Sequence, residues 1–269
     1  SVDVISINTS LVLSVYLFPT VKLRYRFFIC QFNICPHYGI IRISKYYKIN
    51  PYGERRDNMS ENIKEKKLIS FTFDDGPNTD TTPLVLDILE KHKIPASFFI
   101  IGKLVTEETI PVLKREAELG CDIHNHSWTH SFMDKFTPEE IRKEIKDTSD
   151  VIYEATGQTA KFFRPPYIVT SQEMFDNIDL PFICGVNCLD WDPTVSAEKR
   201  KQLILDNAKD GDIVLLHDLS GNMNTVNALE DMITGLLDKG FTFVTITELF
   251  EQKGIDPNVK NKVWSNVFE

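Results

Sequence analysis

The chain is 269 residues long, 42% hydrophobic and 26% charged, the composition of a globular protein with enough apolar mass for a sizeable core. A net charge of −9 argues against nucleic acid as a partner and fits a neutral or cationic substrate, with polysaccharide compatible. The five cysteines, Cys30, Cys35, Cys121, Cys184 and Cys188, are odd in number and lack CxxC spacing, which excludes a zinc-knuckle or dithiol redox motif. They are read as mostly buried thiols without a disulfide framework.

Charge is unevenly distributed. Residues 1–58 hold eight Lys/Arg against three Asp/Glu, a net of +5, which leaves −9 − 5 = −14 for residues 59–269. Six of the eight tyrosines also fall in this first stretch, which has neither a clean helical nor a clean strand period. Its one apolar run, residues 11–18, is too short for a membrane span, and the basic residues follow it where a signal peptide places them before. We expect residues 1–58 to be either disordered or upstream of a natural start at Met59, the alternative being a basic, aromatic-rich arm lying on a membrane or cell wall. A catalytic domain is expected over 59–255, followed by a tail over 256–269.

From residue 68 onward, strand-like and helix-like segments alternate. Leu68-Ile69-Ser70-Phe71-Thr72-Phe73, bounded by Asp-Gly-Pro, predicts a buried strand ending in a functional loop. Thr81-Thr82-Pro83 predicts a helix start with a capping hydroxyl and a first-turn proline, with Leu84, Leu86, Ile88 and Leu89 as its apolar side. A strand follows at 96–101, a helix at 106–119 ending at Gly120, and a strand at 121–125. A long helix begins after Thr137-Pro138-Glu139-Glu140 and runs to about Ala155. Further strands are predicted at 161–164, 181–186, 213–217 and 241–246, and helices at 171–177, 196–208 and 224–238. Repeated strand–helix units imply an α/β fold with a parallel sheet. The chemistry-bearing residues end well-separated strands, which favours a barrel, since a barrel gathers such ends at one mouth.

Asp74 and Asp75 are adjacent at a strand end, so their side chains point in different directions and serve different roles. One can bind a metal while the other handles a proton; the bland reading is a turn in which both only cap backbone amides. His126 and His130 have the i, i+4 spacing that brings two imidazoles to one face of a helical turn, a common way to hold zinc together with a carboxylate. His92 sits among charges on a helix, His37 lies in the N-terminal stretch, and His124 alternates away from His126 if the strand continues. In Arg164-Pro165-Pro166-Tyr167 two prolines stiffen the backbone, aiming the guanidinium at a carboxylate and leaving the Tyr167 amide free; otherwise it is a connector. His217, ending the apolar run from Ile213, is expected to be partly buried, and a nearby carboxylate would raise its pKa enough to make it a proton donor. Trp191 on its own reads more as core than as substrate platform.

Taken together, Thr72-Phe73-Asp74-Asp75-Gly76-Pro77, His126-Ser127-Trp128-Thr129-His130, Arg164-Pro165-Pro166-Tyr167, Leu189-Asp190-Trp191 and Leu215-Leu216-His217 give a chain that resembles the polysaccharide deacetylases of carbohydrate esterase family 4, the NodB homology domain. The resemblance spans about residues 66–250. It implies a distorted (β/α) TIM-like barrel of NodB type and a divalent metal, zinc or cobalt, held by one aspartate and two histidines. Carried over, the ligands are Asp75, His126 and His130. Asp74 becomes the catalytic base and His217 the acid, with Arg164 orienting Asp74 and Asp190 tuning His217. The Tyr167 amide matches the oxyanion donor, and Trp191 and Leu215 match the walls of the acetyl pocket.

Two departures stand out: Ile168 follows RPPY where many members have glycine, and Asn187 stands where some carry an aspartate. The stretch from Phe162 to Trp191 and the segment Gly254-Ile255-Asp256-Pro257 are most similar to the clostridial acetyl xylan esterase-like branch. The expected activity is removal of acetyl groups from O-acetyl xylan or an N-acetylglucosamine polymer, by a monomer with no nucleic-acid or protein partner, outside the cell or at the cell wall. Two other classes fit less well. A non-catalytic carbohydrate-binding relative has no physical need for both proton-transfer groups, and a metal-dependent sugar isomerase needs more carboxylate ligands than these signatures supply.

Overall fold

The computed structural model describes two strands, β1 (Phe28–Ile34) and β2 (Ile41–Lys48), and all residues from 66 to 269. Chain contacts divide the protein into a unit over Ser1–Lys64 and a unit over Glu65–Glu269. In the first, β1 and β2 pair antiparallel with a bulge at Gln31/Phe32, so this stretch carries strand pairing that no simple sequence period announces. The start-site reading at Met59, the apolar run over 11–18, Cys35 and His37 lie outside the described residues.

In the second unit the elements after β2 are β3 (Lys67–Gly76), α1 (Thr81–His92), β4 (Ser97–Ile100), α2 (Ile110–Glu118), β5 (Asp122–Asn125) and α3 (Pro138–Thr156). There follow α4 (Gln172–Asn177), β6 (Phe182–Ile183), β7 (Val186–Asn187), α5 (Ala197–Asn207), β8 (Asp212–His217), α6 (Met223–Asp238), β9 (Phe241–Phe243), α7 (Ile246–Lys253) and β10 (Val263–Trp264). Strands and helices alternate as expected. The predicted strand over 161–164 is a single bridge residue, Phe163, and 246 opens α7 rather than ending a strand.

The main sheet is parallel, in the order β5-β4-β3-β8-β7. β3 is its centre: β8 pairs with it from Ile69 to Asp74, and the opposite edge is shared by β9 low on the strand and β4 high on it. Bridges at Phe163 carry the ladder from Asn125 to Phe182, and β6 pairs with β10. The hydrogen-bonded ring stays open between β6 and β7, which is the distortion of the barrel. β3 is covered on both faces, so Leu68, Ile69, Phe71 and Phe73 are buried together with the small polar Ser70 and Thr72, and Phe73 stacks on Phe98 while Phe71 meets Phe243 edge-on.

Local signals place the helices. Thr137 and Glu140 form a reciprocal capping box at the start of α3, and Gly157, with φ 75°, ends it in the left-handed conformation. Two expectations at α1 need correction. Its N-terminal amides at Thr81 and Thr82 are capped by the Asn78 side chain at 2.7 and 3.0 Å, not by a threonine hydroxyl, because Thr81 Oγ1 accepts instead from the Gly221 amide. Its buried side is Val85, Leu86 and Leu89, while Leu84 is exposed. Residues 256–269 carry β10, and Trp264 and Val267 are buried with Phe250 and Ile246. Cys121 and Cys188 are buried free thiols and Cys184 is a half-buried one.

Candidate active site

The two aspartates of β3 diverge because the strand bulges between them: the β3–β4 register shifts between Asp74 and Gly76, and Asp75 sits at φ 72°. Asp74, buried, accepts from Arg164 Nη1 at 2.5 Å. The Arg164 side chain is fully buried, with its guanidinium 4.1 Å from the Phe99 ring centre. Asp75 turns the other way, its Oδ1 lying 3.5 Å from His126 Nε2 and 3.2 Å from His130 Nε2. The expectation of separate directions for the two carboxylates holds, yet both border His126, since Asp74 Oδ2 is 3.7 Å from its Nε2.

The two histidines do not share a helical turn. They lie in a loop after β5 in which Ser127 (φ 64°) and His130 (φ 58°) are left-handed. The Asn125 side chain accepts from the Ser127 amide at 2.8 Å, and Ser127 Oγ from the His130 amide at 3.0 Å, folding the loop back so that the rings meet at 4.8 Å. Glu144 on α3 holds the same loop by accepting from the amide and hydroxyl of Thr129. None of these three supports carries a signature that single-sequence reading would pick out, although Asn125 and Ser127 flank the histidine that does.

His126 Nδ1 is 2.7 Å from the Arg164 carbonyl, which only accepts, so Nδ1 carries a proton and Nε2 faces Asp75. One ligand atom each from Asp75, His126 and His130 lies within 4.8 Å of the others, and Asp75 Oδ1 is buried with no hydrogen-bond partner. Lone pairs converging on an orphaned carboxylate oxygen need a positive centre between them, a proton or a cation. The donor set of two imidazoles and one carboxylate suits a divalent late first-row ion. Burial alone would raise the Asp75 pKa; the adjoining His126 imidazole, with His130 and His217 beyond it, outweighs burial and holds the carboxyl at about 2. Burial, reinforced by the His126 charge, keeps His130 below the usual imidazole value, in the form that ligates metal.

On the adjoining strand, His217 ends β8 as the register partner of Asp74, and Asp190 follows β7. Asp190 Oδ1 lies 2.8 Å from His217 Nδ1, and Oδ2 accepts from the His217 amide at 2.7 Å. Burial disfavours the imidazolium, but the Asp190 hydrogen bond and charge, with Asp74 and Asp75 behind them, raise His217 to about 9. Leu215 is one pleat below His217 on the same strand face and is buried. Trp191, read from sequence as core, is 60% exposed at the rim, and Tyr167 is 55% exposed. The Tyr167 ring stacks on Phe132 at 4.0 Å and lies 4.7 Å from His130. The hydrogen bonds of the RPPY turn are made by the Ile168 and Val169 amides, to Pro165 and Pro166.

Asp218, the residue after His217, is a site neighbour that sequence reading missed. It is buried, takes the Thr82 hydroxyl, and is raised to about 7 by burial, against that hydrogen bond and with the charges of Asp75 and Asp74 adding to the effect. A Cβ on Gly76 would come within 2.6 Å of Asp218 Oδ2, so glycine is required there. Among the described residues, six of the eight non-glycine residues with positive φ, Asp75, Ser127, His130, Tyr167, Ile168 and Leu189, belong to these site loops. The other two histidines among the described residues lie apart: His124 is buried between Phe99 and Phe162 with Asp122 at 3.2 Å, and His92 meets Glu230 at 3.4 Å.

Residues 61–178 match the family model described as polysaccharide deacetylase. The Xyl-CE4 domain of a multidomain xylanase from the hindgut metagenome of Trinervitermes trinervoides is 47% identical, with 76% of this chain and 98% of that one aligned at a TM-score of 0.74. The chain belongs to the polysaccharide deacetylase family. Within this family, carbohydrate esterase family 4, a Clostridium thermocellum acetyl xylan esterase solved with a cobalt ion is 42% identical, covering 75% of this chain and 99% of that one at a TM-score of 0.72. A bifunctional xylanase/deacetylase of Pseudobutyrivibrio xylanivorans is 48% identical over 211 residues, 78% of this chain. This deacetylase-family chain spans about a third of that relative's length, 35%.

Proposed function

We propose that the protein is a metal-dependent hydrolase that removes acetyl groups from a polysaccharide, with O-acetyl xylan as the preferred substrate. The observation that carries the reading is that two proton-handling pairs, Asp74 with Arg164 and His217 with Asp190, stand on adjoining strands β3 and β8 beside the Asp75–His126–His130 triad. When bound, a divalent ion, zinc or cobalt, supplies Lewis acidity toward water and the acetyl carbonyl.

The chain's own residues do the rest. Asp74 takes the proton of the attacking water, with the Arg164 guanidinium fixing one carboxylate oxygen so that the other faces the mouth. The Tyr167 amide, on a left-handed turn, donates to the oxyanion of the tetrahedral intermediate. His217 protonates the departing sugar oxygen or nitrogen, while Asp190 holds its Nδ1 and leaves Nε2 as the donating atom. Leu215 and Trp191 wall the acetyl pocket. Acetate is the second product. We assign the activity to residues 59–255, with the segment over 256–269 completing the fold through β10.

The xylan preference is supported by the named activities of the esterase and xylanase relatives and by the net charge of −9, which disfavours anionic wall polymers. The test is acetate release from acetylated xylan, N-acetylglucosamine oligomers and peptidoglycan, before and after chelation. Chelator-sensitive release from xylan is expected. Release only from N-acetylated sugars would overturn the substrate preference, and release that survives exhaustive chelation would overturn the mechanism.

A further inference from the structure

Arg200 lies on α5, outside every signature motif, and is 0% exposed. A guanidinium cannot shed its charge, and burying one is costly unless its donors and its charge are both answered. Its donors are answered by neutral groups: Nε donates to the Val195 carbonyl at 2.9 Å, Nη2 to the Asp192 carbonyl at 2.9 Å, and Nη1 to Asn222 Oδ1 at 2.6 Å and Thr225 Oγ1 at 2.7 Å. No carboxylate is among these acceptors. The charge is answered one hydroxyl further on. Thr225 Oγ1 accepts from Arg200, so its single proton is directed to Asp190 Oδ2, 3.0 Å away. Asp190 in turn holds the His217 imidazole and amide. Asn222 forms a second branch, its Nδ2 donating to the His217 carbonyl at 3.0 Å and the Asp190 carbonyl at 3.3 Å.

Both branches from Arg200 therefore end on the Asp190–His217 pair. The contrast with Arg164 is informative. Arg164 pairs directly with Asp74, whereas a direct guanidinium bond to Asp190 would compete with the imidazole for the carboxylate. Routing the charge through a hydroxyl saturates Oδ2 and leaves Oδ1 aimed at Nδ1.

We propose that Arg200 is a positioning residue for the proton donor His217, acting through the Thr225 hydroxyl on the Asp190 carboxylate. This rests on the reading of His217 as the general acid. Loss of the relay frees the carboxylate to rotate and weakens its hold on the imidazole, so the damage falls on steps that need a proton delivered to the leaving group. An aryl acetate loses a stable phenolate and needs little help; a sugar acetate loses an alkoxide and needs much.

The experiment measures kcat on an aryl acetate and on acetylated xylan for the metal-loaded full chain and for Arg200→Met, Thr225→Val and Thr225→Ser, with His217→Ala as reference. The aryl-to-xylan ratio is expected to rise about tenfold in Arg200→Met and Thr225→Val, and to stay within about twofold of wild type in Thr225→Ser, which keeps the hydroxyl. If Arg200→Met does not fold, Thr225→Val decides, since it preserves shape and leaves the guanidinium in place. Parallel losses on both substrates, or an unchanged ratio in Thr225→Val while His217→Ala raises it, would overturn the relay. An unchanged ratio in His217→Ala, or a wild-type chain that releases no acetate, would instead overturn the reading beneath it.

Discussion

Replacing Asp190 by Asn should lower the His217 pKa and remove a pH-dependent part of the stability. In the metal-free protein His217 is raised from 6.5 to about 9, with burial opposing the shift and the Asp190 hydrogen bond and charge driving it. That elevation corresponds to roughly 3 kcal/mol of preference for the charged imidazole in the folded state. Because the folded pKa lies above the unfolded one, that stabilisation is fully present below about pH 6.5 and is lost as pH rises through about 9. The Asp190→Asn side chain keeps the shape but removes the negative charge, so burial is opposed only by the Asp74 and Asp75 charges and the His217 pKa falls. The new amide also turns one donor toward a group that already donates, the His217 amide or its Nδ1. The assay is denaturant unfolding of chelated wild-type and Asp190→Asn protein between about pH 6 and 10, with the His217 ring followed by NMR. The gap in stability between the two should be widest at low pH and narrow by up to about 3 kcal/mol toward pH 10. The difference between the proteins isolates this pair from Asp218, which is raised to about 7 and is common to both. A His217 that still titrates near 9 in Asp190→Asn, or a gap independent of pH, would refute the reasoning.

Other perturbations separate the remaining roles. Asp74→Asn should keep full metal occupancy by elemental analysis while losing on the order of a hundredfold or more in kcat, since Asp75 and both histidines are untouched. His126→Ala should lose the metal itself, seen as loss of occupancy after dialysis. Chelation should abolish acetate release, and zinc or cobalt should restore it where magnesium does not, because imidazole is a poor magnesium ligand. In the core, Phe73→Ala should lower unfolding free energy by about 3–5 kcal/mol in urea, because the ring is fully buried and stacked on Phe98.

The strands and helices of the second unit were legible where pattern and punctuation agree. β3 is a continuous apolar run closed by Asp-Gly-Pro, and α3 opens on a capping box and ends on glycine. Short elements were less so: the single strand predicted over 181–186 is two two-residue strands, β6 and β7, and β10, also of two residues, was not predicted. The site's ionisable residues were visible because they interrupt apolar runs. What holds them was not. The bulge that splits Asp74 from Asp75 and the Arg200–Thr225 connection depend on neighbours distant in sequence, and the left-handed loop that brings His126 to His130 depends on side-chain-to-backbone bonds that have no periodic signal. Trp191 read alone pointed to core and only the family resemblance placed it at a pocket wall, because a single large aromatic has the same composition signal whether it fills a core or rims a cleft.

Asp74 and His217 are register partners in the β3–β8 ladder, although 217 − 74 = 143 positions separate them along the chain. The spacing between the proposed proton acceptor and the proposed proton donor is therefore a property of the peptide backbone, set by the roughly 4.8 Å interval between hydrogen-bonded strands. Such an interval does not drift. Surface loops between the strands can lengthen, shorten or change composition, and with them the choice of sugar chain, while the two working groups keep their separation. A one-residue slip of β3 against β8, by contrast, would turn its side chains to the opposite face and break the pair in one step. Specificity in this fold can be varied by degrees, whereas its chemistry is kept or lost as a unit.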